Sequence, residues 1–249
     1  AGTPSRMWLD QVFNEVFGID VPLNEGTADL YFEHINEQLA TPEFRPRALF
    51  DRFNIETLAT TESPLDTREY HRMIRDSAWG GNVITTYRPD PVADPDFEGF
   101  RENVERFGEL AGEDVSDWNG YLAAHRERRA FFRGMGATAT DHGFISALTA
   151  DLDRNECERL YTKAMAGGCS SEEAELFRAQ VLTEMAGMSI DDGMVMQIHP
   201  GSFRNHNPKI FNTFGRDKGA DIPMQTEYVN SLKPLLDKYG NDPRLNIIL

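Results

Sequence analysis

The residues best suited to chemistry follow an apolar run that ends on a histidine. In "MVMQIHPGSFRNHNPKIF" (194–211), His199 is followed by a Pro-Gly turn and then by Arg204, Asn205, His206 and Asn207. Three earlier apolar runs end in the same manner. One gives Thr60, Thr61, Glu62 and Ser63 before Pro64, the next Tyr87, Arg88 and Asp90 around Pro89, and the third Asp141 and His142 before Gly143. Arg88 and Arg204 offer planar forks that match a carboxylate bidentately. Asp141 can accept from a sugar hydroxyl or move a proton. His199 can serve as a metal ligand, a general base or a hydroxyl donor. Each also has a bland explanation. A strand-end histidine can be a satisfied polar group, Arg-Pro-Asp a turn ion pair, Asp-His-Gly a capped turn, and "RNHN" an ordinary loop. Glu62 is open between a strand-end carboxylate and a turn residue. His34, His71 and His125 fall in helical stretches and read as structural or surface residues.

The elements that must position these groups can be read from periodicity. Five short runs have strand character: "NIETLATT" (54–61), "NVITTYRP" (82–89), "GATATDHG" (136–143), "MVMQIHPG" (194–201) and "LNIIL" (245–249). Several are rich in β-branched residues, and the first four have Pro or Gly close behind. Helical patterns separate them. Phe97, Phe100, Val104, Phe107 and Leu110 share one helical face, and Trp118, Tyr121, Leu122 and Ala130 another that runs to the glycines at 134 and 136. Ser170 and Glu173 have capping-box spacing ahead of Leu176, Phe177, Val181, Leu182 and Met185. Thr226 is placed to cap "EYVNSLKPLLDKYG", with Gly240 as the stop and Pro234 either kinking the helix or shifting its start. Strands alternating with helices over long connections predict an α/β fold with parallel strands and right-handed crossovers, as a (β/α) barrel or an open doubly wound sheet. No Gly-rich phosphate loop follows any strand, which disfavours a nucleotide-binding open sheet. In a barrel, the four polar clusters would converge at the C-terminal ends of the strands. Residues 1–48, with "MWLDQVFNEVFGID" and "TADLYFEHINEQLA", read as a helical segment packing on the barrel; residues 49–249 read as a partial (β/α) barrel.

The 249 residues are 40% hydrophobic, enough for a sizeable core. No apolar run is long enough for a membrane span. The formal net charge of −16 disfavours non-specific binding to nucleic acid or anionic membranes. It also means that an anionic substrate must be held by particular arginines against the overall field. The two cysteines, Cys157 and Cys169, read as free thiols in a reducing compartment. No secretory signal is visible near the start. The chain stops inside "RLNIIL", a newly begun strand, so an internal segment of a longer polypeptide is expected.

Taken together, "FNIETLATTESPLDTREYH", "TYRPD", "GATATDHG", "IHPGSFRNHN" and, near the start, "RMWLDQVFNEVFGI" resemble the uronate isomerase (glucuronate isomerase) family of the amidohydrolase superfamily. The resemblance covers essentially the whole chain. It implies a (β/α)8 TIM barrel of the amidohydrolase type, of which about strands 2–6 are present. It implies aldose–ketose isomerisation of D-glucuronate to D-fructuronate, and of D-galacturonate to D-tagaturonate, by C2–C1 proton transfer. It further implies a divalent metal, with zinc the favoured ion, a cytoplasmic location and a small-molecule uronate as partner; homo-oligomerisation is left open. Carried over by position, Arg88, Asp141, His199 and Arg204 match substrate-contacting residues, with Asp141 and His199 near the reacting carbons. His142 follows as their neighbour.

Two departures stand out. The family has two aspartates after the Thr pair, where this chain has Glu62 and Ser63. The family's metal is held by a His-x-His on the first barrel strand and an Asp on the last, and no His-x-His occurs in the chain. The metal ligands are therefore expected outside these residues, and the isolated chain is expected to be inactive. A metal-dependent hydrolase of the same superfamily, and a sugar-acid-binding protein without catalysis, are the alternative readings.

Overall fold

The computed structural model describes residues 2–219 and 221–249. The chain divides into two compact units, the first running to Leu58 and taking in Trp79–Asn82, the second holding the remainder.

The first unit is helical. Helices Pro4–Glu15 and Ala28–Leu39 match the two segments read as helical in the sequence. Thr3 caps the first, and Asn24 and Thr27 form a capping box at the turn before the second. Aromatic pairs hold the unit together: Phe13 meets Tyr31 edge-on at 4.9 Å, Phe17 stacks on Phe44 at 5.1 Å, and Phe50 meets Trp79 at 4.9 Å. The His34 ring bonds the Phe17 carbonyl at 2.7 Å, a structural role.

The second unit is built on the sheet. Its strands are β1 (Leu58–Glu62), β2 (Val83–Tyr87), β3 (Ala139–His142) and β4 (Val195–Ile198), then the two-residue strands β5 (Ser202–Phe203), β6 (Ile222–Pro223) and β7 (Ile247–Ile248). The main sheet has the order β1-β2-β3-β4-β7, and β2–β3, β3–β4 and β4–β7 pair in parallel. β5 and β6 form a separate antiparallel pair that the sequence reading did not foresee. Two residues per strand give no alternation to recognise.

The helices form where the sequence places them. Phe100–Ala111 buries Phe100, Val104 and Phe107. Trp118–Gly134 starts on an Asp117 cap and stops at the glycines. Ser171–Asp192 has the expected capping box, and Gly193 ends it at φ 75°, a left-handed conformation that glycine adopts without strain. Trp118, Tyr121, Tyr161 and Phe177 form one buried aromatic group. The segment after Thr226 differs from expectation in its cap, while Pro234 shifts the helix start, one of the two outcomes read from the sequence. Its helix spans only Lys233–Tyr239, with Pro234 in the first turn, because proline is tolerated where no intrahelical N–H bond is needed. The Glu227 carboxylate, not Thr226, receives the nearby backbone N–H groups of Asn230 and Ser231. Gly240 is the C-cap as read.

Alternating burial shows how the sheet is used. Thr140 and His142 on β3, and Met196 and Ile198 on β4, are buried, and β2 and β4 pack against helices Trp118–Gly134 and Ser171–Asp192. Ala139, Asp141, Val195 and Gln197, on the opposite face, are only partly covered.

Candidate functional site

Strand register decides which polar groups meet. Tyr87 pairs with Thr140, Asp141 with Gln197, and His142 with Ile198. Successive side chains point to opposite faces, so Arg88, Asp141 and His199 share the partly open face. Tyr87, Thr140 and His142 take the helix-covered one.

On the open face the groups are within bonding reach. His199 Nε2 lies 2.6 Å from Asp141 Oδ1, and Arg88 Nη1 lies 3.5 Å from Asp141 Oδ2. Arg88 Nε donates to Asp90 Oδ2 at 2.7 Å, and the Gly143 N–H donates to the other oxygen of Asp90 at 3.3 Å. Gly143 has to be glycine here: a Cβ would stand 2.0 Å from Arg88 Nη2 and 2.9 Å from Asp90 Oδ2.

The electrostatics follow from these contacts. Burial raises the Asp141 carboxyl, but the hydrogen bond from His199 and the Arg88 charge outweigh it, leaving Asp141 below its ordinary range. The bond to Asp141 holds His199 above the ordinary histidine value, against partial desolvation. Asp90 moves up, because desolvation exceeds the pull of Arg88. The side chains of His199 and Asp141 are 41% and 13% exposed, so the imidazole is the reachable member.

Arg88 also lines a cleft of about 600 Å³. The segment from Arg204 to Asp221 contributes Arg204, Arg216, Asp217 and Asp221 to its lining, and β1 and the residue after it contribute Thr61, Glu62 and Ser63. Arg204 Nη1 stands 3.9 Å from carboxylate oxygens of both Asp217 and Asp221, loose contacts that leave its fork available. The amides of "RNHN" shape the loop. Asn205, at φ 55°, accepts from the Asp217 N–H, and Asn207 caps the helix Pro208–Phe214. Glu62, left open in the sequence, is held by Thr85 and Arg68, with His71 at 3.8 Å.

His142 lies apart from this cluster. It is 1% exposed on the helix-covered face, with Nε2 3.0 Å from Thr140 Oγ1 and Nδ1 without a partner among the described residues. Desolvation, with Arg129 nearby, lowers its pKa to about 3, so the ring is neutral. His125 is also buried, with Nδ1 2.7 Å from the Tyr87 hydroxyl. Sequence reasoning missed Arg216, Asp217 and Asp221. They sit in a polar loop without periodicity, and only their closeness to "RNHN" hinted at them.

The described residues contain no group of three His, Cys, Asp or Glu arranged to hold a metal ion. Asp141 and His199 are the nearest approach to a ligand pair, and they are bonded to each other. The residues present therefore do not fit a divalent metal centre. The arrangement offers instead a proton shared between imidazole and carboxylate, guanidinium groups for an anion, and carboxylates that can accept from hydroxyls.

Comparison with known proteins gives one result throughout. The glucuronate isomerase family profile matches residues 1–249. A uronate isomerase of Rhizorhabdus wittichii is 66% identical over 248 residues, which is 100% of this chain and 53% of the relative. A uronate isomerase of Xanthomonas campestris is 61% identical over the same share of each. The crystal structure of glucuronate isomerase from Caulobacter crescentus superposes with a TM-score of 0.94 at 59% identity, covering 100% of this chain and 52% of that one. Uronate isomerase from Thermotoga maritima gives 0.89 at 30% identity, over 99% of this chain and 54% of that one. The chain thus spans about half the length of the curated relatives it matches.

Proposed function

The chain belongs to the glucuronate isomerase family, and from that premise we propose that the protein it represents interconverts a hexuronate aldose with its ketose. D-Glucuronate would give D-fructuronate, and D-galacturonate would give D-tagaturonate. The observation that carries this reading is the His199–Asp141 pair beside Arg88 on one face of the sheet, at the positions the sequence resemblance assigned to substrate contacts.

The reaction moves hydrogen from C2 to C1. The C2–H and O2–H bonds break, C1–H and O1–H bonds form, and the carbonyl passes from C1 to C2. His199 holds a proton on the exposed side of the pair, placed to give it to a substrate oxygen or take one back. Asp141 fixes the ring orientation and stabilises its charged form. Arg88, tied to Asp90 and Asp141, orients a substrate oxygen next to the pair. Arg204 faces the same cleft from the loop.

In this proposal the parallel sheet is part of a (β/α)8 barrel of the amidohydrolase type. Parallel sheets are ordinarily covered on both faces, and here the face bearing Asp141 and His199 is only partly covered, as a barrel lumen would be. Zinc, the metal expected from the resemblance, would be held by other parts of the protein, and no step here is routed through it. We propose a cytoplasmic location, a reading supported by the two free thiols. Homo-oligomerisation stays a secondary part of the proposal.

The test is ketose formation from D-glucuronate by the complete gene product with zinc supplied. Arg204→Met should lower kcat/KM by about 10- to 100-fold, the range for losing a charge-assisted bidentate contact. The 249-residue segment alone should give no turnover. Absence of turnover on both uronates, with the complete protein folded and metal-loaded, would favour the hydrolase reading.

A further inference from the structure

Beside the Arg88 guanidinium stands a carboxylate that is bonded to protein through both oxygens. Asp90 Oδ2 accepts from Arg88 Nε at 2.7 Å, and Asp90 Oδ1 accepts from the Gly143 N–H at 3.3 Å. Asp90 borders the cleft but is only 8% exposed, so little of it is left for a ligand. Its two bonds tie the residues that follow β2 to the residue that follows β3.

The surroundings hold this carboxylate in place. Asp90 opens the short helix Asp90–Ala93, in which Val92 and Ala93 are fully buried. The Tyr121 hydroxyl donates to the Val92 carbonyl at 2.9 Å, and Asn103 Nδ2 donates to the Pro91 carbonyl at 3.1 Å. Helices Trp118–Gly134 and Phe100–Ala111 thus each pin the turn that carries Asp90. Gly143 supplies clearance. Its backbone lies outside the left-handed region, so glycine is required for space and not for conformation. A Cβ there would stand 2.0 Å from Arg88 Nη2 and 3.0 Å from Arg88 Cζ. The guanidinium is therefore set by three neighbours: Asp90 on Nε, Gly143 against Nη2, and Asp141 at 3.5 Å from Nη1. A long side chain fixed beforehand loses little rotamer freedom when a ligand arrives.

Resting on the proposed isomerase function, we infer that Asp90 and Gly143 are positioning residues for that reaction, which fix the Arg88 fork where it meets a substrate oxygen beside His199 and Asp141. Asp90 acts through Arg88 and makes or breaks no bond of the substrate. Its buried pair of hydrogen bonds supplies the supporting layer that a preorganised site needs.

The experiment compares the complete protein with its Asp90→Ala, Asp90→Asn, Gly143→Ala and Arg88→Ala variants by steady-state kinetics on D-glucuronate, calorimetric titration of the same sugar acid and thermal unfolding. Asp90→Ala should lower kcat/KM about 10- to 100-fold, the effect of misplacing a contact by about 1 Å. The loss should not exceed that of Arg88→Ala, and it should divide between kcat and KM in the same proportion, because both variants remove one interaction. Asp90→Asn keeps one acceptor oxygen and should recover part of the loss. Gly143→Ala should lower kcat/KM and the thermal midpoint in the parent, and should leave the midpoint nearly unchanged in the Arg88→Ala background, where the guanidinium is gone. Parent-like kinetics in Asp90→Ala would overturn the inference while leaving the isomerase reading intact. A folded Asp90→Ala with a loss greater than that of Arg88→Ala would also overturn it, since Asp90 would then act on the substrate itself. If Asp90→Ala does not fold, parent-like kinetics in both Asp90→Asn and Gly143→Ala would overturn it instead. If the parent binds D-glucuronate without turning it over, the isomerase reading fails, and a dissociation constant raised in Asp90→Ala and raised less in Asp90→Asn would still support the positioning role. No binding by the parent would overturn both.

Discussion

A carboxylate and an imidazole 2.6 Å apart stabilise each other's charge, and that sets what His199 can do. His199 is raised and Asp141 is lowered, so the charged pair persists over a window bounded by these two values. The sign follows from linkage. The raised histidine contributes stability that is complete below its unfolded value and lost as pH climbs through its folded one. The lowered aspartate contributes above its unfolded value and loses that contribution as pH falls through its folded one. Asp141→Asn removes the charge and leaves only a neutral amide oxygen as acceptor. The C2-proton resonance of His199 should then titrate at a lower midpoint than in the parent. A midpoint that stays put would mean that Asp141 does not control the imidazole. Asp141, His199, Arg88 and Arg204 were legible in the sequence as candidates because each follows an apolar run. Neighbourhood misled for His142, since alternation along β3 turns it away from the face Asp141 occupies. Arg216 left no pattern to find, because its place depends on how an irregular loop folds over Phe97.

Helices were more legible than the loop, because their signals repeat. The Phe100, Val104, Phe107 stripe and the Ser170–Glu173 box each specify an element by local rules alone. What the sequence could not show is how the helices are joined to one another. Arg129, 1% exposed in Trp118–Gly134, sends Nε to Asp192 Oδ2 at 2.6 Å and Nη2 to Asp192 Oδ1 at 2.9 Å. The same Nη2 donates to Ser189 Oγ at 2.9 Å. Both acceptors lie at the end of Ser171–Asp192, sixty or more residues away, and no local pattern announces such a bond. A buried pair broken on one side leaves an uncompensated charge. Arg129→Met should therefore cost about 3 kcal/mol in urea unfolding, and the double variant with Asp192→Leu should recover much of it. A double variant no more stable than Arg129→Met would show that the cost comes from packing and not from the stranded carboxylate.

The sheet separates two kinds of histidine, one on the partly open face and one packed under helices, and this separation should govern how the chain responds to acid. His125 and His142 are buried at 0% and 1% exposure, and each has one ring nitrogen without a partner among the described residues. Desolvation, with Arg129 adding to it, holds His125 well below the ordinary value and His142 at about 3. Both rings are therefore neutral in the folded chain over the range in which the unfolded chain takes up protons, at about 6.5. Stability from this source is complete above that value. It declines as pH falls from 6.5 toward 3, with each histidine adding a slope of up to about 1.4 kcal/mol per pH unit. His199 has the opposite sign, because acid reinforces its bond to Asp141 until the carboxylate itself protonates. Urea midpoints at pH 7.5 and pH 5.0 separate these contributions. His142→Met should lose less stability between the two pH values than the parent, whatever its stability at pH 7.5. His199→Gln should lose more than the parent, because it removes the only one of the three histidines that acid stabilises. Equal losses in the parent and His142→Met would place the acid sensitivity in the carboxylates rather than in the buried rings.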